Sequence, residues 1–230
     1  MEDMGVFRDQ ASWVRPVHFY RTPRNSMNWR YKVPPESTAR VYFSIDDDIQ
    51  VDCKELTRGF RVWQEHAIGD VGPIVSYGPR YFNYVQEKGF DYGRKPEKNF
   101  FNIALVGLAF ISRHFMDLYY LEVWELERMR EYVERKNNCD DIGLNWLVGY
   151  FYPELVPIPI KGTLLNISPK VAQATSSTHY PYRSACIKEF TLIFGVNALR
   201  YVPFPDLYSG HEARSLPLMR EHVIAKVEHL

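Results

Sequence analysis

The sequence predicts an α/β fold, a sheet covered by helices, and three observations predict it. Val41–Ile45 is a run of mostly β-branched or aromatic residues, which reads as a buried strand running straight into three acids. Across 121–136, Val123, Leu126, Met129 and Val133 recur at helical spacing while the other faces carry charge, the pattern of a long amphipathic helix. Short apolar segments alternate with such helical stretches, and strands mixed with helices bury their apolar faces by layering helices on a sheet.

Taken in order, 17–20 is a short strand candidate followed by a polar turn over 22–25. After the 41–45 strand, 56–66 reads as a helix with Leu56, Phe60 and Trp63 on one face. Residues 74–77 form a further short strand stopped by Gly78 and Pro79, and 83–98, rich in Gly, Tyr and charge, is loop-like or hairpin-like. The apolar stretch 100–110 is consistent with a strand whose Gly107 lets something approach closely. The segment 137–140 breaks the long helix, 142–151 is apolar enough for a short buried helix, and 153–159 is an extended linker into the last segment. Internal repeats and low-complexity tracts are absent from the sequence.

Composition narrows the function. With 230 residues, 46% of them apolar, the chain can bury a substantial core as one large or two small domains. Lys plus Arg equals Asp plus Glu at 28 each, so no positive field draws it to phosphate backbones, and nucleic acid is not expected as a partner. Aromatic residues make up 15%, and their flat faces suit sugars, although most serve the core. The longest apolar run, 103–111, is about half of the roughly 20 residues a membrane span needs, and Glu2, Asp3 and Arg8 do not suit a signal peptide. Any membrane attachment is therefore expected through a segment outside this chain. Cys53, Cys139 and Cys186 include no CxxC pair and are too few for a disulfide scaffold; their spacing alone leaves their state open. His66, His114, His179 and His211 show no metal-ligand spacing.

Three segments carry candidate chemistry. Asp46, Asp47 and Asp48 close the Ser44-Ile45-Asp46-Asp47-Asp48 stretch at the carboxyl end of a strand, where ligands sit in open α/β sheets. Carboxylates are hard oxygen ligands for magnesium, manganese or calcium, and an ion held by one or two of them can bridge diphosphate oxygens; the competing reading is an acidic turn or helix cap. In Asn138-Cys139-Asp140-Asp141-Ile142, Asp140 or Asp141 reads first as a cap of the following helix. Arg183, in Tyr182-Arg183-Ser184-Ala185-Cys186, reads by itself as a surface residue in a polar segment.

Taken together, and in order, these segments resemble the exostosin-type glycosyltransferases, glycosyltransferase family 64, from about Val17 to about Tyr201. The matching residues are Arg21-Thr22 with Asn25, Met27 and Arg30; Ser44 to Asp48; Val62-Trp63-Gln64; Ile74-Val75 with Pro79-Arg80; Val106-Gly107 with Ala109-Phe110; Asn138 to Ile142 with Asn145; and Arg183-Ser184 with Cys186-Ile187. The resemblance implies a GT-A fold, a mixed sheet covered by helices, with 17–80 as the nucleotide- and metal-binding part and 81–230 as the acceptor and catalytic part. It implies that Asn25, Arg30, Asp46, Asp47, Asn138 and Asp140 hold a nucleotide sugar, that Asp48 is the ligand of a manganese ion, and that Asp141 and Arg183 are catalytic. Without it, Asn25 reads as a turn residue and Arg30 as a solvated charge. It further implies a Cys139–Cys186 disulfide, where two buried free thiols are the default for an unplaced chain.

What the resemblance implies about activity is a retaining, manganese-dependent transfer of a sugar, most readily N-acetylhexosamine, from a UDP-sugar to a glycan or glycolipid acceptor. A front-face transfer steadied by a carboxylate is favoured over a covalent nucleophile. A catalytically inactive relative that binds glycans or partner transferases is the alternative, and a calcium-stabilised interaction domain is a third. The implied address is the lumen of the Golgi or endoplasmic reticulum, membrane-associated, with homo- or hetero-oligomers of related transferases as an open partner class; the Asn166-Ile167-Ser168 glycosylation sequon is compatible with it. Family members open the domain with a strand, helix and second strand. The roughly 16 residues ahead of Val17 are too few for a βαβ unit of about 30, so the nucleotide-binding part is expected to be shortened.

Overall fold

Val41–Ile45 forms strand β1, as its β-branched and aromatic residues favour. The structure is a computed structural model that describes residues 20–85, 89–93, 100–162, 164–166, 179–199 and 202–203. A 3-10 helix, Met27–Tyr31, precedes β1. After β1 come β2 (Ile49–Val51), α1 (Cys53–His66), β3 (Val75–Ser76), β4 (Pro79–Val85), β5 (Gly89–Gly93), β6 (Phe100–Phe101), β7 (Ile103–Ala104) and β8 (Leu108–Ser112). Then follow α2 (Arg113–Tyr119), α3 (Trp124–Lys136), α4 (Asp140–Phe151), β9 (Ile158–Pro159), β10 (Leu164–Asn166), α5 (His179–Phe194) and β11 (Val202–Pro203).

The central sheet is mixed and four-stranded in the order β1-β8-β3-β9, with β8 antiparallel to β1 and β3, and β3 parallel to β9. All five β8 residues are buried because both faces of the sheet are covered. Leu108 and Phe110 face the cluster under α1, with Trp63, Val75, Tyr77 and Ile158, while Ala109 and Ile111 face the larger cluster built from α2 to α5. That split is the period-two alternation of a strand. The result is a mixed α/β arrangement with five α-helices among the described residues.

Several expectations change. β1 is half-buried and lies at the edge of the four-stranded sheet, not in its buried middle. The 100–110 stretch is not one strand: Asn102 separates β6 from β7, and residues 105–107 separate β7 from β8, where Leu105 N–H bonds Gly78 O and Ser76 Oγ–H bonds Leu105 O. Pro79 does stop β3, but it also opens β4, a first-residue position that costs no ladder bond. Strands β4 and β5 pair antiparallel, from Tyr81 opposite Gly93 to Val85 opposite Gly89. The 153–159 linker contains β9, whose pairing with β3 completes the sheet.

The long helix begins at Trp124, not 121, because Val123 is extended, and the separate short helix α2 precedes it. Asn137 and Cys139 both adopt the left-handed conformation, at φ 47° and 70°, so α3 stops and α4 starts within three residues. The cap of α4 is therefore Cys139; Asp140 and Asp141 are its first-turn residues, where acids complement the helix dipole. Arg183, which by itself reads as a surface residue in a polar segment, is buried and lies on α5. The 17–20 strand expectation lies outside the described residues except for Tyr20, as do His211 and the Ile167 and Ser168 of the sequon. Among the described residues, no helix is long and apolar enough to cross a membrane.

Candidate functional site

The edge strand β1 delivers Ser44 and Asp46 to one end of the sheet, and the turn that follows is closed by Ile49 N–H to Asp46 O at 3.3 Å. Asp46 N–H donates to Gly107 O at 2.8 Å, fastening that turn to the one before β8. A β-carbon on Gly107 would collide with the Asp46 carboxylate, so glycine lets that carboxylate keep its place between the two turns. This is the close approach the sequence predicts, made by an acid of the triplet itself.

Arg30, near the end of the 3-10 helix, joins two parts of the site. Its Nη2 donates to Asp46 Oδ1 at 2.6 Å, its Nη1 to Ser44 Oγ at 3.1 Å, and its Nε lies 3.2 Å from Asp140 Oδ2. Tyr31 OH donates to the same Asp140 oxygen at 3.2 Å. Beside Asp140, Asp141 Oδ2 accepts a short hydrogen bond from Arg183 Nη2, and Arg183 Nη1 reaches Asn138 Oδ1 at 3.2 Å. Asp141 and Arg183 are 6% and 5% exposed. The guanidinium lies 4.4 Å from the centre of the Tyr92 ring.

Two constraints hold the halves in register. Cys139 and Cys186, both buried, form a disulfide that ties the residue before Asp140 to α5 one turn beyond Arg183. In the chain-entropy account, closing a loop whose ends are 47 residues apart contributes on the order of 4 kcal/mol. Asn145, on α4, brackets the backbone of Ala104, bonding its N–H at 2.9 Å and its C=O at 2.8 Å, and donates to Asp141 O at 2.7 Å. The first turn of α4 is thereby pinned to β7.

Burial pushes the Asp140 carboxyl up to about 6, with the neighbouring Asp141 acting in the same direction and Arg30, Arg183 and the Tyr31 hydroxyl pulling it back. Burial alone would lower both arginines, but their carboxylates outweigh it and leave Arg30 and Arg183 above the ordinary guanidinium value. Burial, reinforced by Asp140, holds Tyr31 far above the usual phenol range, so it stays a donor. The site thus places one arginine beside each of two adjacent acids: Arg30 lies between Asp46 and Asp140, and Arg183 pairs with Asp141 while the neutral Asn138 amide accepts from it.

The structure gathers Arg30, Asp46, Asn138, Asp140, Asp141 and Arg183 into this network. Asn25 and Asp47 are exposed and Asp48 is half-buried. Among the described residues, no three His, Cys, Asp or Glu side chains converge as a metal cage. Asp47 and Asp48 in a solvent-reached turn instead suit a divalent ion that completes its shell with phosphate oxygens and water. Tyr31 and Tyr92 are the site residues that sequence reasoning missed. The chain has 16 tyrosines, and nothing in local pattern sets these two apart.

Comparison with known proteins follows the same segments. Residues 6–204 match the pattern described as "Glycosyl transferase family 64 domain". The glucosamine inositolphosphorylceramide transferase 1 of Arabidopsis thaliana is 29% identical over 191 residues, covering 78% of this chain and 24% of that protein. The exostosin-like-3 homolog of Caenorhabditis elegans is 29% identical over 194 residues, covering 82% of this chain and 22% of that protein. Human exostosin-like 2 is 23% identical over 199 residues, covering 81% of this chain and 58% of that protein. The chain thus spans about a quarter of the length of the first two relatives. Because the matched pattern takes in β1, α4 and α5, the elements that build the charge network, this chain belongs to the exostosin-type glycosyltransferases, glycosyltransferase family 64.

Proposed function

We propose that the chain is the GT-A-type catalytic domain of a retaining, metal-dependent glycosyltransferase that moves a sugar from a UDP-sugar to a glycan or glycolipid acceptor. The observation that carries this reading is the meeting, at the adjacent Asp140 and Asp141, of two ion-pair sets: Asp46–Arg30–Asp140 and Asp141–Arg183. The name of the Arabidopsis relative, with glucosamine and an inositolphosphorylceramide in it, favours an amino sugar such as N-acetylhexosamine and a phosphosphingolipid among the candidate acceptors.

The charge order suits the chemistry. As the acceptor hydroxyl bonds to the anomeric carbon, the bond to the diphosphate oxygen breaks. The bonding pair leaves with the diphosphate, and the hydroxyl proton passes to it. Negative charge grows on the leaving group and positive charge on the sugar ring, so a cation is needed at one end and a carboxylate at the other. Arg183 serves the first and Asp141 the second, while Arg30, Asn25, Asn138 and Asp140 hold the nucleotide sugar. Asp48, with Asp46 and Asp47 beside it, would hold manganese, which when bound would supply Lewis-acid neutralisation of the leaving group. The Cys139–Cys186 disulfide supports an oxidising compartment, hence the lumen of the secretory pathway.

The deciding experiment measures UDP-sugar turnover, with and without acceptor, for the folded chain and for Asp141→Asn, alongside calorimetric titration with UDP. Manganese-dependent UDP binding with turnover that disappears in Asp141→Asn is expected. A folded chain that binds no UDP with or without manganese overturns the reading. Binding without turnover by the parent chain replaces it with the inactive, glycan- or partner-binding relative.

A further inference from the structure

We infer that Tyr92 is a positioning residue for Arg183, holding its guanidinium in the plane from which the site uses it. The catalytic motif does not include this tyrosine; it comes from strand β5. Tyr92 is 4% exposed and its ring centre lies 4.4 Å from Arg183 Cζ, while its backbone N–H donates to Ser184 Oγ at 3.1 Å. Its ring also meets that of Tyr180 at 5.8 Å, one turn before Ser184. Strand β5 therefore grips α5 at three successive places around Arg183.

The remaining contacts of Arg183 show why a ring is needed there. Nη1 is taken by Asn138 and Nη2 by Asp141, two contacts that leave tilting about the line joining them unrestrained. A ring face beneath the guanidinium carbon restrains it, and it is attracted to the cation more strongly where water is excluded. Among the described residues, Arg183 Nε is buried and has no hydrogen-bond partner. A charged donor left unpaired in the interior is costly unless a ligand uses it, so its direction matters, and the Tyr92 ring sets that direction.

The functional half of this inference rests on the transferase reading; the structural half does not, and the test separates them. In a sample with 15N-labelled arginine, the Arg183 Nε–H signal, identified by its loss in Arg183→Lys, is followed in Tyr92→Phe and in the ring-less Tyr92→Leu and Tyr92→Met. UDP affinity in the presence of manganese is measured in the same set. Tyr92→Phe is expected to keep both the signal and the affinity. A ring-less variant with its disulfide intact is expected to shift and broaden the signal and to bind UDP about ten-fold more weakly. In the Arg183→Lys background, where no planar cation remains to be stacked, removing the ring should change affinity by less than about two-fold.

An unchanged Arg183 signal in a folded ring-less variant overturns the proposal. So does an equal loss of affinity in both backgrounds, and so does a failure of both ring-less variants to fold while Tyr92→Phe folds, since the ring is then a core element. If the parent chain binds no UDP but the signal still follows the ring, the transferase reading fails and the positioning role stands.

Discussion

Asp141 and Arg183 have side chains only 9% and 6% exposed, and a buried charge is tolerated only while its partner is charged too. Removing one partner by Asp141→Asn should therefore cost about 3–5 kcal/mol in urea unfolding as well as abolish turnover. Replacing both, Asp141→Leu with Arg183→Met, should return most of the stability and none of the turnover, which separates the structural from the chemical demand on the pair. Gly107 makes a steric demand of comparable sharpness. Gly107→Ala drives a methyl into the Asp46 carboxylate, which must leave Arg30. The expected result is a loss of about 1–3 kcal/mol with weakened UDP binding. Asp140 adds a pH dependence of known sign. Its folded value, about 6 against an ordinary 3.8, means that the folded chain keeps a proton there that the unfolded chain releases. This group's contribution is full below about pH 4 and is lost as the pH rises through 6. Stability measured against Asp140→Asn at pH 4, 5, 6 and 7 should accordingly fall for the parent chain across that window. A difference that is flat with pH overturns the assignment.

At the scale of elements, the site depends on α4 and α5 meeting, and the disulfide is the bolt between them. Cys186→Ser should cost on the order of 4 kcal/mol and reduce turnover further than stability alone explains, because Asp141 and Arg183 then lose their fixed separation. Turnover compared at a temperature where both forms are folded checks this. The elements also differ in how far sequence exposes them. β1 is legible because β-branched and aromatic residues end abruptly at acids, and the body of α3 because its buried Leu126, Met129 and Val133 keep helical spacing. α5 is not legible. It carries His179, Pro181, Ser184 and Thr191 among its residues, all weak helix formers, and it is held by packing of Ile187 and Phe190 in the core. β8 merges with its neighbours because a strand covered on both faces loses the alternation that marks its ends. For the site, the acids and Arg183 are readable as a set only through the family pattern. The Tyr31 hydroxyl bond to Asp140 and the Tyr92 ring contact with Arg183 join residues far apart in sequence, which local pattern cannot pair.

At the scale of the whole molecule, the network spans the two packing layers. Asp46 and Ser44 belong to the sheet edge, Asp140 and Asp141 to α4, and Arg183 to α5, with Arg30 as the bridge between the first two groups. On the proposed transferase reading, a diphosphate and its ion bound across that seam would contact both layers, so donor binding should stabilise the fold as a unit. At a nucleotide concentration about 100 times its dissociation constant, linkage gives about 2.7 kcal/mol. UDP and manganese together should therefore raise the unfolding temperature by more than the sum of their separate effects, because each completes the site of the other. Asp48→Asn should remove that excess while leaving the small effect of UDP alone, since Arg30 and Arg183 still meet the phosphate charge. Equal shifts from manganese with and without nucleotide would mean that the ion binds elsewhere, and an excess that survives in Asp48→Asn would take the metal away from the turn after β1.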